Sequence, residues 1–144
     1  MGKSKVGVLL RISEVNLARA EKRFDDGEYD TAVFHASMAI EGAANAMILE
    51  LGGNEAKNHR AISALAAVLR RVKPELLRRD RYAQLIAKGR DIQREVVYAR
   101  YPLKVAGEWV TPMEYYTREK AKRIVDDARF VVDEIKALLK GDKT

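Results

Sequence analysis

The chain has 144 residues, 47% of them hydrophobic and 33% charged, with no cysteine and a formal net charge of +6. This length suits a single domain over residues 1–144 and the composition excludes a disordered segment, while no apolar run reaches the roughly 18 residues of a membrane-spanning helix. The lack of cysteine excludes disulfides and agrees with a cytoplasmic location. The excess of cations has two explanations: a partner that is acidic or a nucleic acid, or the charge-rich surface of a thermophile protein.

The first predicted helix runs from Lys5 to Phe24. Apolar residues recur along it at seven-residue spacing, at Leu10, Leu17 and Phe24, which gives the helix one apolar face. We expect this face to pack against the rest of the chain.

The second predicted helix, Glu28 to Leu51, is apolar around most of its girth. A helix of this kind is buried, so we expect the other helices to pack around it. Gly52 and Gly53 suit a left-handed cap at its end. Because one small chain offers few neighbours to cover such a helix, its surface also favours a homodimer.

The third and fourth helices are predicted on either side of Pro74. Asn58 is a good N-cap for the third helix, which would place His59 in its first turn. Pro74 should end that helix and serve as the first residue of the fourth, which runs to about Ala99.

A long connection from Tyr101 to Tyr116 follows, and it shows no alternation that would predict a strand. Within it, Thr111 to Glu114 has the form of a capping box around one short helical turn. The last helix is predicted to begin after Thr117 and to end near Lys140. The predicted fold class is therefore all-α: an up-and-down helical bundle of four long helices plus a shorter one.

Three polar residues interrupt the apolar second helix at four-residue spacing: Ser37, Glu41 and Asn45. A buried carboxylate needs a partner, so Glu41 should face an arginine, a lysine or a cleft. A solvent-facing polar seam is the alternative.

The two histidines, His35 and His59, show no metal-binding spacing, so we expect no metal site. For His59, capping or packing and a role in ligand binding or proton transfer both stay open. The segment from Arg70 to Arg81 holds six basic and two acidic residues. It could hold phosphates, but it lacks the aromatic residues that stack on bases, and a solvated turn is the alternative.

The richest polar cluster lies at the end of the fourth helix, with Trp109, Tyr115 and Tyr116 shortly after it. Arginine beside aromatic rings can hold a phosphate and stack a base, or it can anchor a protein interface. Alternatively, the aromatic residues close one end of the bundle. The residues at the end of the helix are Arg94, Tyr98, Arg100 and Tyr101.

Taken together, these segments resemble the HEPN domain, the higher-eukaryote and prokaryote nucleotide-binding family, in its stand-alone archaeal and thermophilic form. Residues 24–52 are similar to the family's second-helix pattern, and NHRAISALAAVL at residues 58–69 resembles its histidine-led third helix. The segments ARYP and TPMEYYTREKAKRIVDDA resemble its ending. The resemblance covers nearly the whole chain.

The resemblance implies a bundle that dimerises and that works beside a minimal nucleotidyltransferase as a toxin and antitoxin pair. Other members are metal-independent RNases with an arginine followed, after four to six residues, by a histidine. That motif is absent here, which favours a non-catalytic protein without a cofactor that binds a nucleotide or a partner. The residues expected to bind are Arg94, Tyr98, Arg100, Tyr101, His59, Glu41 and Asn45.

Two alternatives stay open. One is an RNase with an atypical site, in which Arg94 or Arg100 works with a tyrosine or with His59 in place of the absent histidine. The other is a basic nucleic-acid-binding module that uses the segment from Arg70 to Arg81.

Overall fold

The computed structural model describes residues 4–141, most of which are helical. The predicted bundle of four long helices and a shorter one is confirmed, and a 3₁₀ helix and a small hairpin are added to it. The elements are α1 (Lys5–Asp25), α2 (Tyr29–Glu50), α3 (Ala61–Val72), a 3₁₀ helix (Pro74–Arg78), α4 (Asp80–Tyr98), β1 (Leu103–Val105), β2 (Glu108–Val110), α5 (Pro112–Tyr115) and α6 (Arg118–Leu139).

Helix α2 lies at the centre of the hydrophobic core, as its sequence predicts. Between Ala32 and Ile48 most of its side chains are buried, and α1, α3, α4 and α6 all pack against it. Gly42 allows α1 to approach closely, since a Cβ at this position would lie 3.2 Å from the carbonyl oxygen of Leu9. Helix α2 is thus covered within one chain, and the expectation that it would leave apolar surface for a second copy loses its basis.

By length and composition alone, α2 could cross a membrane, contrary to the sequence expectation that no segment would qualify. The 18-residue window that meets the test is 72% buried inside the fold. Its hydrophobicity is therefore accounted for by the neighbouring helices, as in the central helix of a bundle.

Several predicted turns and caps are confirmed. Gly52, in the predicted left-handed cap, adopts a φ angle of +86° at the end of α2. Gly27 adopts a similar angle of +78° at the end of α1, where a residue without a Cβ is also favoured. Thr111 and Glu114 form both hydrogen bonds of the predicted capping box. The hydroxyl of Thr117 accepts a hydrogen bond from the backbone N–H of Lys120 at 3.2 Å and so caps α6.

Two predicted helix starts are wrong. Helix α3 begins at Ala61, because Asn58 and His59 adopt φ angles of +64° and +60° that no helical turn contains. Pro74 begins a 3₁₀ helix instead of α4, which starts only at Asp80. The intervening turn buries Leu76 against the core.

The connection after α4 contains a β-hairpin that the sequence does not predict. Leu103 pairs with Val110 and Val105 with Glu108, in antiparallel register. Ala106 and Gly107 both adopt positive φ angles at its turn, as a two-residue hairpin loop of type I′ requires. Strands of three residues are too short to display a period of two in the sequence.

Candidate functional site

The three polar residues of α2, Ser37, Glu41 and Asn45, face helix α4 and the link that joins α2 to α3. The alternative of a solvent-facing seam is therefore wrong. Ser37 is buried and its hydroxyl lies 3.2 Å from the carbonyl oxygen of Ile92 in α4. Asn45 is also buried and binds the backbone of Ala56 with both ends of its amide, at 2.8 and 3.4 Å. These two side chains fasten the link and α4 onto the central helix.

Glu41, between them, is paired with His59. Nδ1 of His59 lies 2.9 Å from Oε2 of Glu41, and the two side chains are 43% and 23% exposed. The expected arginine or lysine partner of Glu41 is therefore an imidazole. The pair borders a cavity of about 10 Å³, a volume that fits one water molecule.

Gln93 joins α4 to the start of α3, and sequence reasoning missed it. Its Oε1 accepts a hydrogen bond from the backbone N–H of Ile62 at 3.0 Å, and its Nε2 donates to the hydroxyl of Ser63 at 3.1 Å. This side chain satisfies one of the backbone N–H groups that a helix N-terminus leaves without a partner. A polar residue among the apolar positions of α4 was the one available signal.

A cleft of about 400 Å³ opens beside these residues, between the start of α3 and the C-terminal half of α4. We call it the α4 cleft. It brings together three of the predicted residues, His59, Arg94 and Tyr98, and adds the cation Arg60. The side chain of Arg94 is 70% exposed and forms an ion pair with Asp91. The lining residues are Asn58, His59, Arg60, Gln93, Arg94, Val96, Val97 and Tyr98.

A second cleft, of about 370 Å³, adjoins the first at Val97 and Tyr98. We call it the hairpin cleft. Its walls are mostly aromatic and apolar, and the rings of Tyr98 and Tyr115 lie 6.3 Å apart. Tyr101, another predicted residue, lies here and is 52% exposed. The lining residues are Val97, Tyr98, Tyr101, Pro102, Leu103, Lys104, Val105 and Tyr115.

Arg100 is not among the residues that line either cleft. Its guanidinium group lies over the rings of Phe34 and Tyr101, at 5.3 and 5.5 Å from their centroids. Asn45 likewise stays outside the clefts, buried under Ala56. The structure thus gathers His59, Arg94, Tyr98 and Tyr101 along the two adjoining clefts, with Glu41 bound to His59. Arg100 and Asn45 are not among the residues that line these clefts.

Tyr116 anchors the start of α6 to α4, and sequence reasoning did not single out its partner. Its buried hydroxyl donates a hydrogen bond to the carboxylate of Glu95. Burial, followed by this hydrogen bond, raises the pKa of Tyr116 far above its usual value. The phenol therefore stays protonated and acts as a fixed donor at the base of the aromatic cluster.

Over residues 4–141, no three acidic or histidine side chains stand close enough to hold a metal ion. The chemistry of the two clefts is that of cations, an imidazole and aromatic rings. Such groups hold phosphate oxygens and stack on planar rings.

A family model described as "HEPN domain" matches residues 6–138. The chain belongs to the HEPN family. Among its relatives, a Methanocaldococcus jannaschii protein named "Putative toxin MJ1304" is 28% identical over 133 residues, which are 92% of this chain and 87% of that protein.

Two solved structures share the fold of this HEPN chain. TT1696 from Thermus thermophilus superposes with a TM-score of 0.73 at 20% identity, covering 93% of this chain and 98% of that one. ST0689, described as an archaeal HEPN homologue, gives a TM-score of 0.69 at 19% identity, covering 95% and 99%. At these identities the likeness extends to the helical bundle alone.

Proposed function

We propose that this HEPN protein is a non-catalytic, homodimeric bundle that binds a nucleotide and acts with a minimal nucleotidyltransferase in a toxin–antitoxin-like pair. One observation carries the nucleotide part of the proposal. The α4 cleft places His59, Arg60 and Arg94 next to the ring of Tyr98. Cations beside an aromatic face suit the two halves of a nucleotide, its phosphates and its base.

The details of the cleft support this assignment. Arg94 is exposed, and its nearest carboxylate is Asp91 on the same helix, so a phosphate can compete for the guanidinium group. His59 is fixed by Glu41, which orients its ring at the edge of the cleft. The hairpin cleft continues from Tyr98 and offers Tyr101 for a base or a ribose. No cofactor is required for binding of this kind.

A thermal-shift experiment tests the nucleotide part. At 100 times its Kd a nucleotide should stabilise the protein by about 2.7 kcal/mol, which is a clear rise in Tm. We expect ATP or a related nucleotide to raise the Tm of the unmodified protein and of Arg123→Ala, an exposed arginine on α6, but not that of Arg94→Ala. The absence of any nucleotide-dependent shift in the unmodified protein contradicts the proposal.

The toxin-like part of the proposal is supported by the relative from Methanocaldococcus jannaschii, whose name describes a toxin. We expect production of this chain alone to slow the growth of its host and co-production of the nucleotidyltransferase to restore it. Purification from the native host, followed by mass spectrometry, should identify that enzyme as the main co-purifying protein. Recovery of the chain without it contradicts this part alone.

The proposed homodimer uses the surface around the hairpin. Several large apolar side chains are exposed there, whereas α2 is covered. A stable interface needs exposed apolar surface of this kind. The residues and their exposed fractions are Val97 (55%), Val105 (42%), Trp109 (70%) and Met113 (72%).

We also propose a cytoplasmic, thermophile protein that acts away from membranes. The absence of cysteine in the sequence supports the first point. Ion pairs between helices support the second, with Arg129 bound to Glu21 at 2.6 Å and Lys136 to Glu14 at 3.0 Å, which join α6 to α1.

A metal-independent RNase is the second candidate, because the fold brings His59 and Arg94 to the same cleft although the sequence motif is absent. His59, oriented by Glu41, could accept the proton of a ribose 2′-hydroxyl while Arg94 holds the phosphate. Cleavage of RNA in metal-free buffer that is lost in both His59→Ala and Arg94→Ala, but kept in Arg123→Ala, would favour this candidate. Equal residual activity in all variants removes it.

A further inference from the structure

The turn between α3 and α4 carries four cations that the α4 cleft does not use. Each is exposed, and none forms an ion pair with another residue in the described part of the chain. We call this group the basic corner and define it as Arg70, Arg71, Lys73 and Arg78.

Some cations on other surfaces are neutralised by a neighbouring acid. Lys88 binds Asp127 at 2.9 Å, and Lys122 binds Asp126 at 2.8 Å. Next to the basic corner, Arg81 forms an ion pair with Glu134, which leaves that carboxylate occupied. What distinguishes the basic corner is that four cations without an ion pair in residues 4–141 lie within one short stretch, residues 70–78.

Capping of α3 accounts for part of this charge. Arg70 and Arg71 lie in the last turn of α3, where cations stabilise the negative end of the helix dipole. Lys73 and Arg78 lie beyond that helix, and Arg78 is in the last turn of the 3₁₀ helix. The acids Glu75 and Asp80 stand at the starts of their own helices, where they favour those N-termini. Helix capping alone does not require four cations here.

The basic corner is separate from the α4 cleft. It precedes the N-terminus of α4, whereas Arg94 is fourteen residues further along that helix, a distance of roughly 21 Å at 1.5 Å per residue. A ligand of the cleft the size of a nucleotide does not reach the corner.

We propose that the basic corner binds the phosphate backbone of nucleic acid without reading its sequence. Three of the four cations are arginines, whose planar guanidinium groups match phosphate oxygens. The aromatic residue nearest in sequence, Tyr82, is buried, so its ring does not stack on an unpaired base. The contact is therefore electrostatic, it accepts duplexes, and it is independent of the proposed nucleotide site.

A matched pair of fourfold variants tests this proposal. The corner variant carries Arg70→Gln, Arg71→Gln, Lys73→Gln and Arg78→Gln. The control variant carries Arg11→Gln, Arg19→Gln, Arg123→Gln and Lys140→Gln, which are also exposed and without an ion pair in residues 4–141. Both variants lose four positive charges, from three arginines and one lysine. Any difference in DNA binding between them therefore reflects the position of the charges and not their number. Circular dichroism melts confirm that both fold.

Fluorescence anisotropy with two unrelated DNA duplexes measures binding between about 50 and 200 mM salt. Four phosphate contacts predict a slope of log K against log [salt] of about −3.6, which is on the order of a hundredfold loss of affinity over this range. We expect the corner variant to lose most of this slope and at least about tenfold in affinity, and the control to keep its slope within about one unit.

Three results would overturn the proposal: a slope shallower than about −1 in the unmodified protein, a control variant that loses as much as the corner variant, or a more than tenfold preference between the two duplexes. Loss of duplex binding in Arg94→Ala would also overturn it, because binding would then belong to the α4 cleft. Since duplex DNA does not report nucleotide binding, failure here leaves the thermal-shift test of the cleft unaffected.

Discussion

The imidazole of His59 is held by the carboxylate of Glu41, with 2.9 Å between Nδ1 and Oε2. The two residues come from different elements, and His59 adopts a left-handed backbone conformation that places its ring beside the α4 cleft. Backbone strain of this kind persists where surrounding contacts fix it. The link between α2 and α3 is thus a positioned part of the candidate site.

Removal of the Asn45 side chain should loosen this link. Asn45→Ala leaves the backbone N–H and carbonyl of the partly buried Ala56 without their side-chain partners, at a cost of about 1–2 kcal/mol in the free energy of unfolding. Asn54→Ala, at an exposed position of the same link, should change stability by less than about 0.5 kcal/mol. Urea denaturation measures both variants, and equal stabilities would show that the Asn45 contact does not hold the link.

Gly89 should not tolerate a side chain, because the side chain of Ile62 in α3 packs directly against it. A Cβ at this position would lie 2.8 Å from Cδ1 and Cγ1 of Ile62. We expect Gly89→Ala to cost about 1–3 kcal/mol through overpacking, which outweighs the gain of about 1 kcal/mol in helix propensity. The double variant with Ile62→Ala should be less destabilised than the sum of the single variants. Additive losses in thermal or urea melts would place the clash elsewhere.

His35 should make the protein less stable in mild acid. Burial, helped by Arg19 and Arg23, lowers the pKa of His35 below 6.5. The pKa of His35 is thus lower in the folded protein than in the unfolded chain, so between these two pKa values the unfolded chain binds more protons. The full stability is therefore present above about pH 6.5, and it declines as the pH falls from 6.5 toward the folded-state pKa. The difference in urea midpoint between about pH 7.5 and pH 5.5 should be smaller in His35→Gln. An unchanged difference would assign the acid sensitivity to other groups.

The proposed dimer gives a mass twice that of the 16.2 kDa chain in light scattering. Trp109 is the one tryptophan, and it is 70% exposed in a single chain, so association should shift its emission to shorter wavelength as concentration rises. Trp109→Ser should lower the mass toward that of the monomer. Val72→Ser, which alters an exposed apolar residue at the C-terminal end of α3, should not. A monomer at micromolar concentration contradicts the dimer.

The sequence predicted the parts of the fold that repeat with helical periodicity. Helices α2 and α6 show long apolar stripes, and the capping box at Thr111 is a local pattern. The β-hairpin was missed because its strands have three residues each. Asn58 looked like an N-cap because asparagine favours both helix caps and left-handed φ angles, and only the fold distinguishes the two.

The candidate site was predicted in its residues but not in its arrangement. The cluster at the end of α4 named Arg94, Tyr98 and Tyr101, yet nothing local showed that Glu41 would bind His59 or that Arg100 would lie over the ring of Phe34. Those contacts join residues that are distant in sequence. Their spacing is set by how α2, α3 and α4 pack, which a one-dimensional pattern does not encode.

The most direct test of the proposed nucleotide site is a map of amide chemical shifts in ¹⁵N-labelled protein titrated with ATP. We predict saturable shifts that concentrate in residues 58–60 and 93–98 and that disappear in Arg94→Ala while persisting in Arg123→Ala. Shifts centred on residues 70–78 instead, or no saturable shift at all, would contradict the assignment of nucleotide binding to the α4 cleft.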